Sequence, residues 1–251
     1  MEHEKTQIER HTSKQFDVEL EDVREQVLTM GGLVEQQIAN GVKALIDGDS
    51  ALGEDVARSD YKINTMEVAI DEACTRILAR RQPQAGDLRL VLAIAKTITD
   101  LERIGDEAEK IGRMAMYLAG KDRPPSAFRQ INQLGGHVRQ MVRDSLDAFA
   151  RMDTEAALAV AQHDSEVDRE YEGVMRQCIT FMMEDPRTIR HMLDVMWSVK
   201  ALERIGDHAT NISEYVVYLV GGRDVRHLSI EELEKEAARA LSPRTGPDVS
   251  P

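Results

Sequence analysis

Leu101-Glu102-Arg103-Ile104-Gly105-Asp106 returns as Leu202-Glu203-Arg204-Ile205-Gly206-Asp207, displaced by 101 residues. The correspondence continues through Ala108 and Ala209, Ile111 and Ile212, and Tyr117 and Tyr218. Upstream the displacement is 104: Gly31-Gly32 answers to Gly135-Gly136, Asp60 to Asp164, and Cys74 to Cys178. The change in displacement places a short deletion in the second copy, near Pro83 and Pro186. Self-similarity at a spacing of about 100 residues identifies a duplicated domain.

Each copy reads as three helices. In the first, Val23, Val27, Met30, Val34, Ile38, Val42 and Leu45 recur every three or four residues, which predicts a helix over Phe16–Asp47. A turn at Asp47-Gly48-Asp49 precedes a second helix, Leu52–Arg81, which stops before Pro83. The third, Asp87–Leu118, ends at Gly120 with Pro124-Pro125 beyond. The second copy repeats the plan over about 126–151, 155–184 and 186–220, with Asp185-Pro186 as N-cap and first helical residue. Ser229 and Glu232 form a capping box for a short helix to Leu241, and the tail from residue 242 is expected to be disordered. Short loops favour antiparallel neighbours. The expected fold is therefore all-α, two tandem antiparallel three-helix bundles. Residues 1–122 form the first repeat, with 1–15 flexible, 123–222 the second, and 223–251 a short helix and tail.

Composition agrees and narrows the function. The 251 residues carry 45 Asp and Glu against 32 Lys and Arg, a formal charge of −13 that repels nucleic-acid phosphates. Aromatics are only 4%, against a sandwich or barrel. Two cysteines exclude a disulfide scaffold. The start, MEHEKTQIERH, lacks the apolar stretch of a signal peptide, and the most apolar run, Leu90 to Ile98, is broken by Lys96. The expectation is a cytoplasmic protein without membrane insertion, able to meet the membrane through partners.

The repeated motif carries the chemistry. Glu102 and Asp106 are four apart and share a helix face, as do Glu203 and Asp207. At 100° per residue Glu102 falls near Val91, Ala95 and Ile98, and Glu203 in line with Met192, Met196 and Val199, so the carboxylates continue the core-facing stripe. Carboxylates there must be paired, protonated or bound to a cation. Arg103 and Arg204 point elsewhere, about 100° round the helix. The second helix supplies Asp60 and Asn64 in one copy and Asp164 and Asp168 in the other, again four apart. If the stripes face each other, Asp60, Asn64, Glu102 and Asp106 form one oxygen-rich set and Asp164, Asp168, Glu203 and Asp207 a second. All-oxygen sets suit hard cations, and carboxylates also hold iron. The alternative is a polar layer that fixes helix register and binds nothing.

Other residues read more plainly. Cys74 and Cys178 are small core residues, not a redox pair. His208 and His163 read as surface or outer-layer residues beside the acids, and Trp197 as core or interface. Gly105 and Gly206 interrupt good helices beside the acidic pairs, implying close helix approach or room for an ion. Gly31-Gly32 and Gly135-Gly136 imply close packing of the first helix of each copy. No nucleophile elbow, Walker A or Rossmann fingerprint occurs, and no Glu-x-x-His, which a ferritin-like di-iron site requires. An enzyme is not expected.

The two LERIGD motifs, the upstream Asp-x-x-x-Asn/Asp strings and the duplicated architecture closely resemble the PhoU family, over roughly residues 10–225. The resemblance implies metal clusters held by E/D-x-x-x-D pairs, with iron, zinc, manganese or magnesium found in different members, and usually a homodimer. Glu102 and Asp106, Glu203 and Asp207, and Asp164 and Asp168 match that motif. Asp60 and Asn64 match it with a neutral last member, which implies a less anionic first site. It also implies a negative regulator of the phosphate-starvation response. That regulator couples the ATPase of the phosphate ABC transporter, PstB, to the sensor histidine kinase PhoR and holds the kinase off when phosphate is plentiful.

Overall fold

The structure, a computed structural model, describes residues 2–121, 125–226 and 228–241, and it is helical throughout. The first copy contributes α1 (Glu2–Asp47), α2 (Ser50–Ser59), α3 (Tyr61–Arg81) and α4 (Ala85–Leu118). The second contributes α5 (Pro125–Arg151), α6 (Thr154–Glu184) and α7 (Ile189–Gly221), and α8 (Ile230–Leu241) packs on α6 and α7. The tail from residue 242 lies outside the described residues.

Local chemistry sets most boundaries. Gly48 takes φ +67° at the first turn, and the Asp49 carboxylate accepts from the Leu52 amide at 3.0 Å. The second copy repeats the cap with Asp153 and Ala156, again at 3.0 Å. Asp185 caps Arg187, Gly222 closes α7 at φ +79°, and Ser229 and Glu232 exchange the two bonds of a capping box.

Three boundaries depart from expectation. The helix expected from Phe16 begins at Glu2; its Glu, Lys, Gln and Arg are helix formers with no breaker before Gly31. The second helix is interrupted at Asp60, whose carbonyl accepts from Ile63 at 2.9 Å and Asn64 at 3.3 Å. Pro186–Thr188 forms one 3-10 turn before α7.

The core is continuous through both copies. Met30, Ile38, Leu45, Ile63, Ile70, Ile94, Ile98, Leu101, Ile104, Ile111, Ile131 and Phe149 are essentially fully buried. Two seams join the bundles. α1 and α5 run antiparallel: a Cβ on Gly31 would strike the Leu146 side chain, and one on Gly135 would stand 2.7 Å from Val42. By the 104-residue displacement Val42 and Leu146 are counterparts, so the contact is reciprocal, as across a two-fold axis. Gly32 and Gly136 have nothing within 4 Å, so only the first glycine of each pair provides the expected close packing.

The second seam pairs α4 with α7, also antiparallel. Buried Asp100 accepts from Asn211 at 3.1 Å and meets His208 Nδ1 at 2.7 Å. Buried Glu107 pairs with Arg204 at 2.6 Å and Lys110 at 2.9 Å. His208, 13% exposed in its side chain, is thus a seam residue rather than an outer layer of the acidic site. Arg204 does point away from the acidic pair, into this seam.

Candidate metal centre

In the first bundle, the break between α2 and α3 brings Asp60 against α4. Gly105 permits the approach: a Cβ there would stand 3.1 Å from Asp60 Oδ1 and 3.0 Å from Ile63 Cδ1. Asp60 is only 7% exposed. Its Oδ2 accepts from Asn64 Nδ2 at 3.0 Å, while its buried Oδ1 has no partner. Single oxygens of Asp60, Asp106 and Glu109 lie within 4.8 Å of one another. Burial pushes the Asp60 carboxyl above its usual pKa, helped by Glu109 and Asp106. Glu102 is raised by burial, then by Asp106 and Glu67. Glu67 is raised by burial and Asp71.

The stripes therefore face each other and bring Asp60 and Asp106 together, while Glu102 lies outside the close group and feels both through its raised carboxyl. Asn64 is exposed and serves Asp60 as a donor, so its amide carbonyl is not committed to the same point. Glu67 and Glu109 were not anticipated. Glu109 corrects the expectation of a less anionic first set, because it adds a carboxylate to the triad, steadied by Arg113 at 2.6 Å. Its spacing, three residues past Asp106 and seven past Glu102, was visible in the sequence. Its counterpart Thr210 is neutral, so comparing the repeats concealed it.

The second set gathers on α6 and α7. Burial, then Asp168, raises the Asp164 carboxyl, while the nearby Thr210 hydroxyl works the other way. Asp207, exposed as a residue but with its carboxyl partly shielded from water, is pushed up to about 6 by that desolvation, then by Glu203 and Asp164. Asp164 and Glu203 are half-buried and Asp168 and Asp207 exposed, so the acids flank the core-facing stripe rather than continue it. Lys200 Nζ holds both Glu203 oxygens, at 2.6 and 2.5 Å. Among the described residues, the close three-carboxylate arrangement occurs in the first set alone.

Cys74 and Cys178 are buried, with their thiols pushed up to about 11 by burial, which suits inert core residues. His163 bonds the Ala159 carbonyl at 2.7 Å and stands exposed on the wall of a cleft of about 370 Å³ between α5 and α6. Trp197 is 69% exposed on α7 and is not a core residue.

Glu214, on α7, is pushed up to about 7 by burial and then by Asp224. A raised carboxyl stabilises the fold below its unfolded value of 4.5 and loses that contribution as pH rises through about 7. Glu214→Gln is therefore expected to stabilise the protein by about 1–2 kcal/mol at pH 8, with the gain fading toward pH 4.5. Thermal melts across that range check it.

Among the described residues no helix is long and apolar enough to cross a membrane. The sequence profile of the PhoU domain matches residues 27–115 and 131–216. The chain is 53% identical over 232 residues to a phosphate-specific transport system accessory protein PhoU homolog of Pseudomonas putida, covering 92% of this chain and 91% of that one. It is 49% identical over 228 residues to the Escherichia coli K12 accessory protein PhoU, covering 91% and 94%. The crystal structure of PhoU from Pseudomonas aeruginosa superposes with a TM-score of 0.80 at 53% identity, over 83% of this chain and all of that one. The Streptococcus pneumoniae phosphate transport system regulatory protein PhoU gives 0.78 at 31% identity, over 84% and 99%.

Proposed function

The chain belongs to the PhoU family, and from that premise we propose that it is a metal-binding adaptor that holds the phosphate-starvation response off. The family is one of accessory proteins in phosphate transport regulation, not of enzymes. In the finer reading the protein is cytoplasmic, a homodimer, and bridges the transporter ATPase to the sensor kinase.

The observation that carries the metal part is the buried, unpartnered Asp60 Oδ1 facing Asp106 and Glu109. A buried carboxylate oxygen without a donor is costly, and three carboxylates this close repel. A cation relieves both. The donors are all oxygen, which suits Mg²⁺ or Mn²⁺ over softer ions, although carboxylates also hold iron and zinc. Asp60, Asp106 and Glu109 would hold the ion, with Glu102 and Glu67 adding negative potential. Bound there, it would tie the α2–α3 break to α4.

Protein purified without chelator is expected to carry about one hard divalent ion per chain or more, by elemental analysis. In phosphate-replete conditions it is expected to capture both the kinase and the transporter ATPase, less so after metal removal. Metal-free protein would overturn the metal reading, and capture of neither partner the adaptor reading. The competing reading, a scaffold whose acidic pairs bind nothing, draws on the second set, where an ammonium already sits on Glu203.

A further inference from the structure

The two acidic sets descend from one duplicated motif, yet beyond Asn64 against Asp168 and Glu109 against Thr210 they differ at two further matched positions. Where the first copy has Thr99, which donates to the Ala95 carbonyl at 3.1 Å, the second has Lys200. Where the first has the half-buried Glu67 facing Glu102, the second has Tyr171. The Lys200 ammonium sits 5.4 Å from the Tyr171 ring centroid and on both oxygens of Glu203. An aromatic face and a carboxylate are the two groups that hold an ammonium best at a half-buried site. At these two positions the second copy has one carboxylate fewer and one cation more.

We propose that Lys200 is a tethered cation that occupies the second acidic set, so that a divalent ion enters this set only by displacing the ammonium. In the first set Arg113 holds one oxygen of Glu109, but among the described residues no Lys or Arg pairs with Asp60 or Asp106, so their oxygens stay open to an ion. This rests on the metal-binding reading above. Lys200 is the residue that sets the difference in affinity between the two halves of the molecule. The tether raises the local ammonium concentration well above that of free ions in solution. It also gives the second bundle charge balance at Glu203 when metal is scarce.

Mn²⁺ titration of the full chain, followed by calorimetry and by the electron paramagnetic resonance of free Mn²⁺, tests this. Wild type is expected to show a tight class and a class at least about tenfold weaker. Asp60→Asn with Asp106→Asn is expected to remove the tight class and leave the weak one. Adding Lys200→Met to that background is expected to strengthen the remaining class about tenfold or more, whereas Lys200→Arg, which keeps a cation there, is not. An unchanged weak class in Lys200→Met, or equal strengthening by Lys200→Arg, would overturn the tethered cation while the metal reading stands. No Mn²⁺ binding by wild type or by Lys200→Met would overturn the metal reading itself, and this inference with it. Lys43→Met, at an exposed pair with Asp47 on α1, is the control for a general charge effect and is expected to change neither class.

Discussion

Asp60→Asn is expected to raise the stability of the metal-free protein and, in the same molecule, to abolish most of its stabilisation by metal. Asn retains an oxygen to accept from Asn64 Nδ2, so the one hydrogen bond Asp60 makes is kept. What is lost is a charge that burial, Glu109 and Asp106 all oppose. Relief of that repulsion should add about 0.5–1 kcal/mol to the apo protein at neutral pH. Metal affinity should fall about 100-fold or more, since even changes behind a ligand cost 10–100-fold. At Mn²⁺ a hundredfold above the wild-type Kd, the wild type gains about 2.7 kcal/mol, and the variant nearly none. Paired melts with and without Mn²⁺ check both halves. If Asp60 merely set helix register, the variant would be less stable without metal, and that result would remove the site.

The second large effect concerns packing. α2 and α4 touch through glycine backbones: a Cβ on Gly112 would lie 2.8 Å from the Gly53 carbonyl oxygen, and one on Gly53 2.7 Å from that of Gly112. Neither obstacle is a flexible side chain, so the helices themselves must part. Ala normally gains about 1 kcal/mol over Gly within a helix. At Gly112 this sign should reverse, with Gly112→Ala destabilising by about 2 kcal/mol. For a chain of this size that lowers Tm by roughly 4–8 °C. Gly32→Ala and Gly136→Ala, with nothing within 4 Å, should stabilise instead. Because α2 ends at Asp60, separation at Gly53–Gly112 should also move the carboxylate, and Gly112→Ala is expected to weaken Mn²⁺ binding.

Much of this was legible in the sequence. Periodicity and caps set α5, α6 and α8 to within a residue or two, because Asp153 and the Ser229–Glu232 box act locally. The interruption at Asp60 was not legible: Asp60 itself has helical angles, and the displacement comes from contact with α4 through Gly105 and Gly112. Within the site, the duplication was both guide and blind. It marked Asp60, Glu102, Asp106 and their counterparts because both copies keep them. It passed over Glu109, Glu67 and Lys200 because each is present in one copy alone. Ionic partners across the α4–α7 seam, such as Asp100 and His208, carry no sequence signal, since they are paired only once the bundles dock.

The placement of α4 and α7 has a further consequence. On α4, Asp106 and Glu109 face the α2–α3 break, while Asp100 and Glu107, roughly 100–180° round the wheel, lock onto α7. On α7, Arg204, His208 and Asn211 receive that lock, and Glu203 and Asp207 lie beside them, turned to the α6 side. The two acidic sets thus flank a pair of beams bolted together by charge. A helix is stiff along its axis, so a pull on one outer face is carried through the bolts to the other. Linkage then imposes a symmetry that neither half shows alone: whatever factor an ion in one set imposes on the other's affinity is returned in full.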